Sequence, residues 1–235
     1  MTGGFCRYDL RTTDTTAARA FYAATLGIDF DEEGSFLAIW PLHEQAIARG
    51  APAHWLGQLQ VADAAATVQR VVAEGGQLLS PSVLRGKDGE AFAVVRDPCE
   101  AVVGVRETSR LPTRAPVAWH QLHTRDVERS WAVYAELFGW QQTGTLDVGG
   151  AEGEHRVFRW SGADKDVGGI ANTARLPGVH PHWLYYFAVA DLGGTLATAK
   201  ARGGNALAPV VLPNGDRIVA CEDPQGAAFG LIQSA

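Results

Sequence analysis

The sequence contains an internal duplication, and this constrains the fold more than any single motif does. His54–Leu84 and His182–Leu212 align without a gap, with about 14 of 31 positions identical. Self-similarity of this kind is the mark of one supersecondary unit used more than once. A second matched pair lies upstream. Asp9-Leu10-Arg11-Thr12-Thr13-Asp14, with Phe21-Tyr22 and Leu26-Gly27, parallels Gln121-Leu122-His123-Thr124-Arg125-Asp126, with Val133-Tyr134 and Phe138-Gly139. The 235 residues therefore read as two homologous domains, 1–108 and 117–235, joined by a linker at 109–116 that holds two prolines.

Within each half a smaller pattern recurs: an apolar strand ending near an aspartate, a helix, then more strands. Phe5–Thr12 alternates in polarity and stops before Asp14, whose carboxylate suits the N-cap of a helix over 15–26 that Gly27 ends. Val117–Thr124, Asp126 and the helix closing at Gly139 repeat this arrangement. The second unit of each half runs from Trp55–Val61 through Asp63 to Gly75-Gly76, or from Trp183–Val189 through Asp191 to Gly203-Gly204. Shorter strand candidates lie between, at Phe36–Trp40, Gln45–Ala48, Arg156–Trp160 and Gly169–Asn172. The expected fold is α+β, with four βαβββ units in series at 1–50, 51–108, 117–175 and 180–235.

Composition narrows the partners. A net charge of −6 without any lysine or arginine cluster argues against nucleic acid and anionic membrane surfaces. No apolar run approaches the ~18 residues of a membrane-spanning helix, and Met1–Gly4 leads straight into a strand, so the expected address is the cytoplasm. Cys6, Cys99 and Cys221 are odd in number and share no metal-type spacing, which predicts reduced, packed thiols. No glycine-rich phosphate loop or nucleophile elbow is present, so no nucleotide cofactor is expected. A small organic molecule is the expected partner, taken up by a monomer or a homodimer.

The ordered set of Leu-x-Thr-x-Asp strand ends, Phe21-Tyr22…Leu26-Gly27, Tyr134…Leu137-Phe138-Gly139-Trp140, Val-Ala-Asp strand ends, double glycines and Asp223-Pro224-Gln225-Gly226 resembles the vicinal oxygen chelate superfamily. That superfamily groups glyoxalase I, extradiol dioxygenases and the fosfomycin- and bleomycin-resistance proteins, and the likeness is greatest to its tandem two-domain glyoxalase-like type. The resemblance implies that the two units of each half curve a mixed sheet around one cavity, giving two cavities per chain. It also implies where a divalent ion would be held: about seven residues before each strand-end aspartate and about seven after the Asp-Pro aspartate. Those registers fall on Arg7, Leu56, Trp119, Leu184, Gly104 and Gly230, none of them a usual ligand. The expectation is that no metal and no other cofactor is used.

Two functional classes follow. The first is a binding protein that sequesters a small apolar or aromatic metabolite or antibiotic. The second is a metal-independent lyase, isomerase or cyclase of secondary or xenobiotic metabolism; a metal-dependent glyoxalase or dioxygenase comes third. Strand parity puts Asp9 on one face with Arg7, and Gln121 and His123 on one face with Trp119. Asp9 and His123 are the candidates to move a proton, with Arg7, Gln121, Tyr186 and Arg217 steadying charge. Trp40, Trp119 and Trp160, with Gln58, are the candidate walls of an organic-ligand cavity. His54 and His182 hold identical places in the repeat and read as structural, Glu90 as solvent-facing, and Cys221 as a packed thiol. The second half, with the intact Asp-Pro-Gln-Gly, is the better candidate site, because the first half has Asp97-Pro98-Cys99-Glu100 there.

Overall fold

The computed structural model describes residues 3–31, 36–48, 50–86, 89–110 and 117–235, so linker positions 111–116 lie outside it. The first half contains β1 (Phe5–Thr12), α1 (Thr15–Leu26), β2 (Leu37–Pro41), α2 (Glu44–Ala48), β3 (His54–Val61), α3 (Ala64–Ala73), β4 (Gln77–Leu78), β5 (Leu84–Arg85), β6 (Ala91–Arg96) and β7 (Val102–Glu107). The second contains β8 (Trp119–His123), α4 (Val127–Phe138), β9 (Gln141–Asp147), β10 (Glu154–Arg159), β11 (Gly168–Ala171), a 3-10 turn (Asn172–Arg175), β12 (His182–Ala188), α5 (Leu192–Ala201), β13 (Asn205–Ala206), β14 (Val210–Val211), β15 (Arg217–Glu222) and β16 (Ala228–Gln233). They form two open mixed sheets, β2-β1-β3-β7-β6-β4 with β5 on β6, and β13-β15-β16-β12-β8-β11-β10-β9 with β14 on β15. The fold is α+β, as the duplication predicts.

One local device starts four of the helices. Asp14, Asp63, Asp126 and Asp191 sit in extended backbone and accept from the backbone N–H three residues on, at 2.9, 2.8, 3.0 and 3.0 Å. Each bond satisfies a first-turn donor that the helix cannot, and is worth about 1 kcal/mol. Gly27 and Gly139 end α1 and α4 in the left-handed region, at φ 66° and 67°.

Two elements depart from expectation. Gln45–Ala48 reads as a strand but lies in helix α2, where the Ala46 and Ile47 amides both bond to the His43 carbonyl. Glu-Gln-Ala-Ile-Ala is a run of good helix formers, and local propensity decides so short a segment. Strand β9 is absent from the sequence reading because all its side chains but Leu146 are exposed. Its backbone pairing to β10 holds it in place, so it has no apolar alternation to be recognised by.

The described chain forms two compact units, and each draws on both sequence halves. The first comprises Met1–Arg7, Gly57–Thr113 and His120–Trp183. Here β3 pairs parallel to β7, β8 pairs parallel to β11, and β10 runs antiparallel to β9 and β11. Its interior is aromatic: Trp140 stacks on Phe158 at 4.3 Å, and Tyr134 packs on Trp140 and edge-on to Trp183. The buried Tyr134 hydroxyl accepts from Trp183 Nε1 at 3.0 Å and donates to Asp97 Oδ2 at 2.9 Å. Asp97 Oδ1 in turn accepts the amides of Cys99 and Ala101, closing the Asp-Pro turn.

The second unit comprises Tyr8–Leu56, Arg114–Trp119 and Leu184–Ala235. Strand β1 pairs parallel to β2, β12 parallel to β16, and β15 antiparallel to β16, with α1 packed on α5. The tryptophan–tyrosine bond and the Asp-Pro turn recur, while Asp223 Oδ2 has no hydrogen bond from a described residue. Trp55 Nε1 donates to Tyr22 Oη at 2.9 Å, and Asp223 Oδ1 accepts from Gln225 and Ala227 at 2.9 Å each. Burial, and then the Asp223 carboxylate beside it, push the Tyr22 hydroxyl well above the ordinary tyrosine range. In both units the tyrosine and tryptophan come from one half of the sequence and the aspartate from the other.

Candidate functional site

Side chains alternate along β8, so His120, Leu122 and Thr124 lie on one face and Gln121 and His123 on the other. The first face belongs to the packed interior. His120 stacks on Phe5 at 4.9 Å, bonds to the Val167 carbonyl at 2.7 Å, and is pushed down to about 4 by burial. Thr124 and Ser130 share a buried hydroxyl bond that ties β8 to α4.

The opposite face gathers histidines. Gln121 is buried, and its Oε1 bonds to His155 Nδ1 of β10 at 3.1 Å while its Nε2 donates to the Leu122 carbonyl at 3.3 Å. His123 Nδ1 makes a short bond of 2.5 Å to Thr173 Oγ1 in the 3-10 turn. The His123 ring stacks on His182, with centroids 4.6 Å apart and planes 22° from parallel. His182 bonds through Nδ1 to the His180 carbonyl at 2.8 Å, and its ring also faces that of His180. Glu152 Oε2 lies 3.9 Å from His155 Nε2.

Burial sets the charge of this cluster. It is the largest cause that lowers His123 well below the ordinary imidazole range, with His182, His155 and His180 adding like-charge opposition. Burial likewise takes His155 down to about 4, lowers His182 and raises Glu152. At neutral pH the His123, His155 and His182 rings are therefore uncharged, each with one N–H and one lone pair. Such rings are weak bases and good hydrogen-bond acceptors.

The residues do not fit the metal that the resemblance implies. A Cβ at Gly230 would lie 2.3 Å from Tyr186 Cδ1, and one at Gly104 would lie 2.7 Å from Gln58 Cγ, so neither register has room for a ligating side chain. The stacked His123 and His182 rings send their lone pairs along nearly parallel planes, which do not converge on one ion. Among the described residues no group of three or more His, Cys, Asp or Glu side chains is arranged to hold a metal.

Of the residues singled out from sequence, the structure brings together Gln121 and His123. It adds His155, which carries no sequence signal, and His182, whose ring stacks on His123. Arg7 is half-buried in the same compact unit. Gln58 is buried over Gly104, and nearby strands carry Arg106, whose guanidinium lies 3.5 Å from Glu90 and 5.2 Å from the centre of the Phe92 ring. Glu90 also accepts from Thr108 Oγ1 at 2.5 Å, so it faces protein partners and not only water. An open depression of about 510 Å³ lies beside this pair, lined by Val61, Ala62, Gly89, Glu90, Glu107, Thr108 and Ser109.

Each remaining candidate has its own surroundings. Asp9 is buried and ion-paired with Arg11 at 3.4 Å, and Arg11 covers the exposed Trp40 ring at 5.9 Å. Trp160 belongs to the ring cluster with Phe5, His120 and Trp140. Trp119 opens β8 half-buried, Tyr186 is buried against Gly230, and Arg217 is exposed at the start of β15. Cys6 and Cys221 are buried and pushed up to about 12 by burial, which suits packed thiols and not nucleophiles.

Comparison with known proteins places this geometry in a family. The profile of the Glyoxalase/Bleomycin resistance protein/Dioxygenase superfamily matches residues 117–231. The putative glyoxylase CFP32 of Mycobacterium bovis is 30% identical over 97% of this chain and 93% of its own length. The anthracycline biosynthesis protein DauV of Streptomyces sp. strain C5 is 26% identical over 96% and 91%. Among solved structures, the Mn(II)-bound glyoxalase from Novosphingobium aromaticivorans aligns with a TM-score of 0.63 at 15% identity, over 99% of this chain and 82% of that one. The 2,2',3-trihydroxybiphenyl 1,2-dioxygenase of Sphingomonas wittichii strain RW1 aligns with a TM-score of 0.63 at 10% identity, over 100% and 91%. These two likenesses concern the fold alone.

Proposed function

We propose that this chain, which belongs to the glyoxalase/bleomycin resistance protein/dioxygenase superfamily, binds a small, flat, largely aromatic organic molecule without a divalent metal. The observation that carries this reading is the filling of two of the six metal registers: Tyr186 occupies the space at Gly230 and Gln58 that at Gly104. An aromatic ring and an amide in place of ligands change a polar, ion-centred site into an organic one. The relatives named for anthracycline biosynthesis support the same class of ligand, since anthracyclines are planar polycyclic aromatics. The setting is then natural-product metabolism in the cytoplasm, with a small molecule as the partner.

The neutral imidazoles around Gln121 favour a second reading, in which the bound molecule is also rearranged by a metal-independent lyase, isomerase or cyclase. Metal analysis of the purified protein, combined with tryptophan-fluorescence titration against polycyclic aromatic metabolites, tests both. Sub-stoichiometric metal with saturable quenching is expected. Stoichiometric Mn, Zn, Ni or Fe would overturn the metal-free reading, and recovery of a changed ligand would move the assignment to the enzyme.

A further inference from the structure

The hydrogen-bond inventory of the histidine cluster specifies what its ligand must offer. Gln121 Nε2 donates to the Leu122 carbonyl, which orients the amide so that Oε1 faces His155 Nδ1. An amide oxygen only accepts, so Nδ1 carries the ring proton of His155 and Nε2 is left as a lone pair. That nitrogen is buried, on a residue only 3% exposed, and no described residue gives it a hydrogen bond. The Glu152 carboxylate, 3.9 Å away, lies beyond hydrogen-bond reach. His182 has the same inventory: its Nδ1 proton goes to the His180 carbonyl, so its Nε2 is also an acceptor.

A buried acceptor with no donor is costly and calls for a group that satisfies it. Anions are disfavoured by the lone pair and by Glu152, and the stacked rings do not converge on a metal ion. A neutral donor is the remaining class. A hydroxyl on an aromatic or conjugated ring supplies a strong O–H donor together with a flat face suited to the His123/His182 stack.

We propose that the Gln121–His155 pair is a proton-accepting subsite for a free phenolic or enolic hydroxyl of the bound molecule, with His155 Nε2 as the acceptor. The assignment rests on the aromatic-ligand reading above and narrows it to hydroxylated ligands.

Calorimetric titration of the full chain with 2-hydroxyanthraquinone and 2-methoxyanthraquinone tests it, because the two probes share a ring system and differ in the donor. The hydroxyl probe is expected to bind about tenfold more tightly, the scale of one buried hydrogen bond, and His155→Phe should bind both probes equally. Equal affinities in the unmodified protein would overturn the subsite and leave the aromatic reading standing. Binding of neither probe would overturn both. Nitrogen-15 NMR of the histidine-labelled protein gives a readout independent of any variant. His155 Nε2 should resonate as an unprotonated nitrogen and move upfield with the hydroxyl probe but not with its methyl ether. A protonated Nε2 in the free protein would overturn the assignment.

Discussion

Replacing Tyr134 with phenylalanine should be one of the most damaging single-atom changes in this chain. Tyr134 is 1% exposed, and its hydroxyl both accepts from Trp183 Nε1 and donates to Asp97 Oδ2. A hydrogen bond to a charged acceptor contributes about 1.5–3 kcal/mol, and a buried indole N–H left without an acceptor costs about 1–3 kcal/mol. Tyr134→Phe is therefore expected to lose about 3–4 kcal/mol in urea denaturation followed by tryptophan emission at about pH 7.5. Asp97→Asn combined with it in a double-mutant cycle should reveal a coupling of about 1.5–3 kcal/mol.

The loss should also depend on pH, with a definite sign. Burial is the largest cause that raises Asp97 above its ordinary 3.8, while the Tyr134 hydroxyl and the Cys99 and Ala101 amides pull it back down. The folded state thus holds this proton more tightly than the unfolded chain, so this group's contribution to stability rises as pH falls through the raised value towards 3.8. Removing the hydroxyl raises Asp97 further and widens that window upward. The difference between variant and parent should then shrink at about pH 4.5, where the carboxyl of the variant is more fully protonated. A loss below about 1 kcal/mol, or one equal at both pH values, would refute the network as described.

Two further substitutions probe the backbone. Glu100 is the sole non-glycine at positive φ among the described residues, at 79°, in the turn where the other half has Gly226 at 87°. Its ion pair with Arg125 is exposed and worth little, so Glu100→Gly should stabilise by about 1 kcal/mol, read as a higher denaturation midpoint. Gly230→Ala drives a Cβ to within 2.3 Å of the Tyr186 ring and should cost about 1–3 kcal/mol by calorimetry; an unchanged Tm would mean that the ring does not fill that register.

Much of the scaffold was legible because it depends on local signals that the duplication states twice. The four capping aspartates, the two helix-ending glycines and the Asp-Pro turns each do a job set by neighbouring backbone groups, so residue type and spacing reveal them. The histidine cluster was only half legible. Gln121 and His123 follow from strand parity, but His155 comes from a strand whose partner β9 is nearly all exposed, and no spacing in the sequence connects it to β8. His182 reads as structural in the sequence because His54 repeats it, and the two share one bond: each Nδ1 bonds to the carbonyl two residues back. The difference lies at the neighbouring position. Burial lowers His54 most, with the Arg11 guanidinium adding to it, whereas the His123 ring stacks on His182. Helix α2 is not legible in the sequence because its five residues are too few to show a period.

Along β1 and β8 the duplication has diverged on one face more than on the other. Three buried pairs are kept: Tyr22 and Tyr134, Trp55 and Trp183, Asp223 and Asp97; in each unit the tryptophan donates to the tyrosine hydroxyl and the aspartate accepts amides of its own turn. Along the opposite register the pairs are Arg7 and Trp119, Asp9 and Gln121, Arg11 and His123, Gln58 and Tyr186. Alternation lets these two sets change independently, because each side chain meets only the neighbours on its own face. On β1 this register has become charged, with Asp9 bound to Arg11. On β8 it has become neutral, built of amide, imidazole and aromatic groups. A flat, uncharged, hydroxylated molecule matches the second register and has nothing to gain from the first. The two registers are therefore expected to differ in the ligands they accept although they descend from one unit.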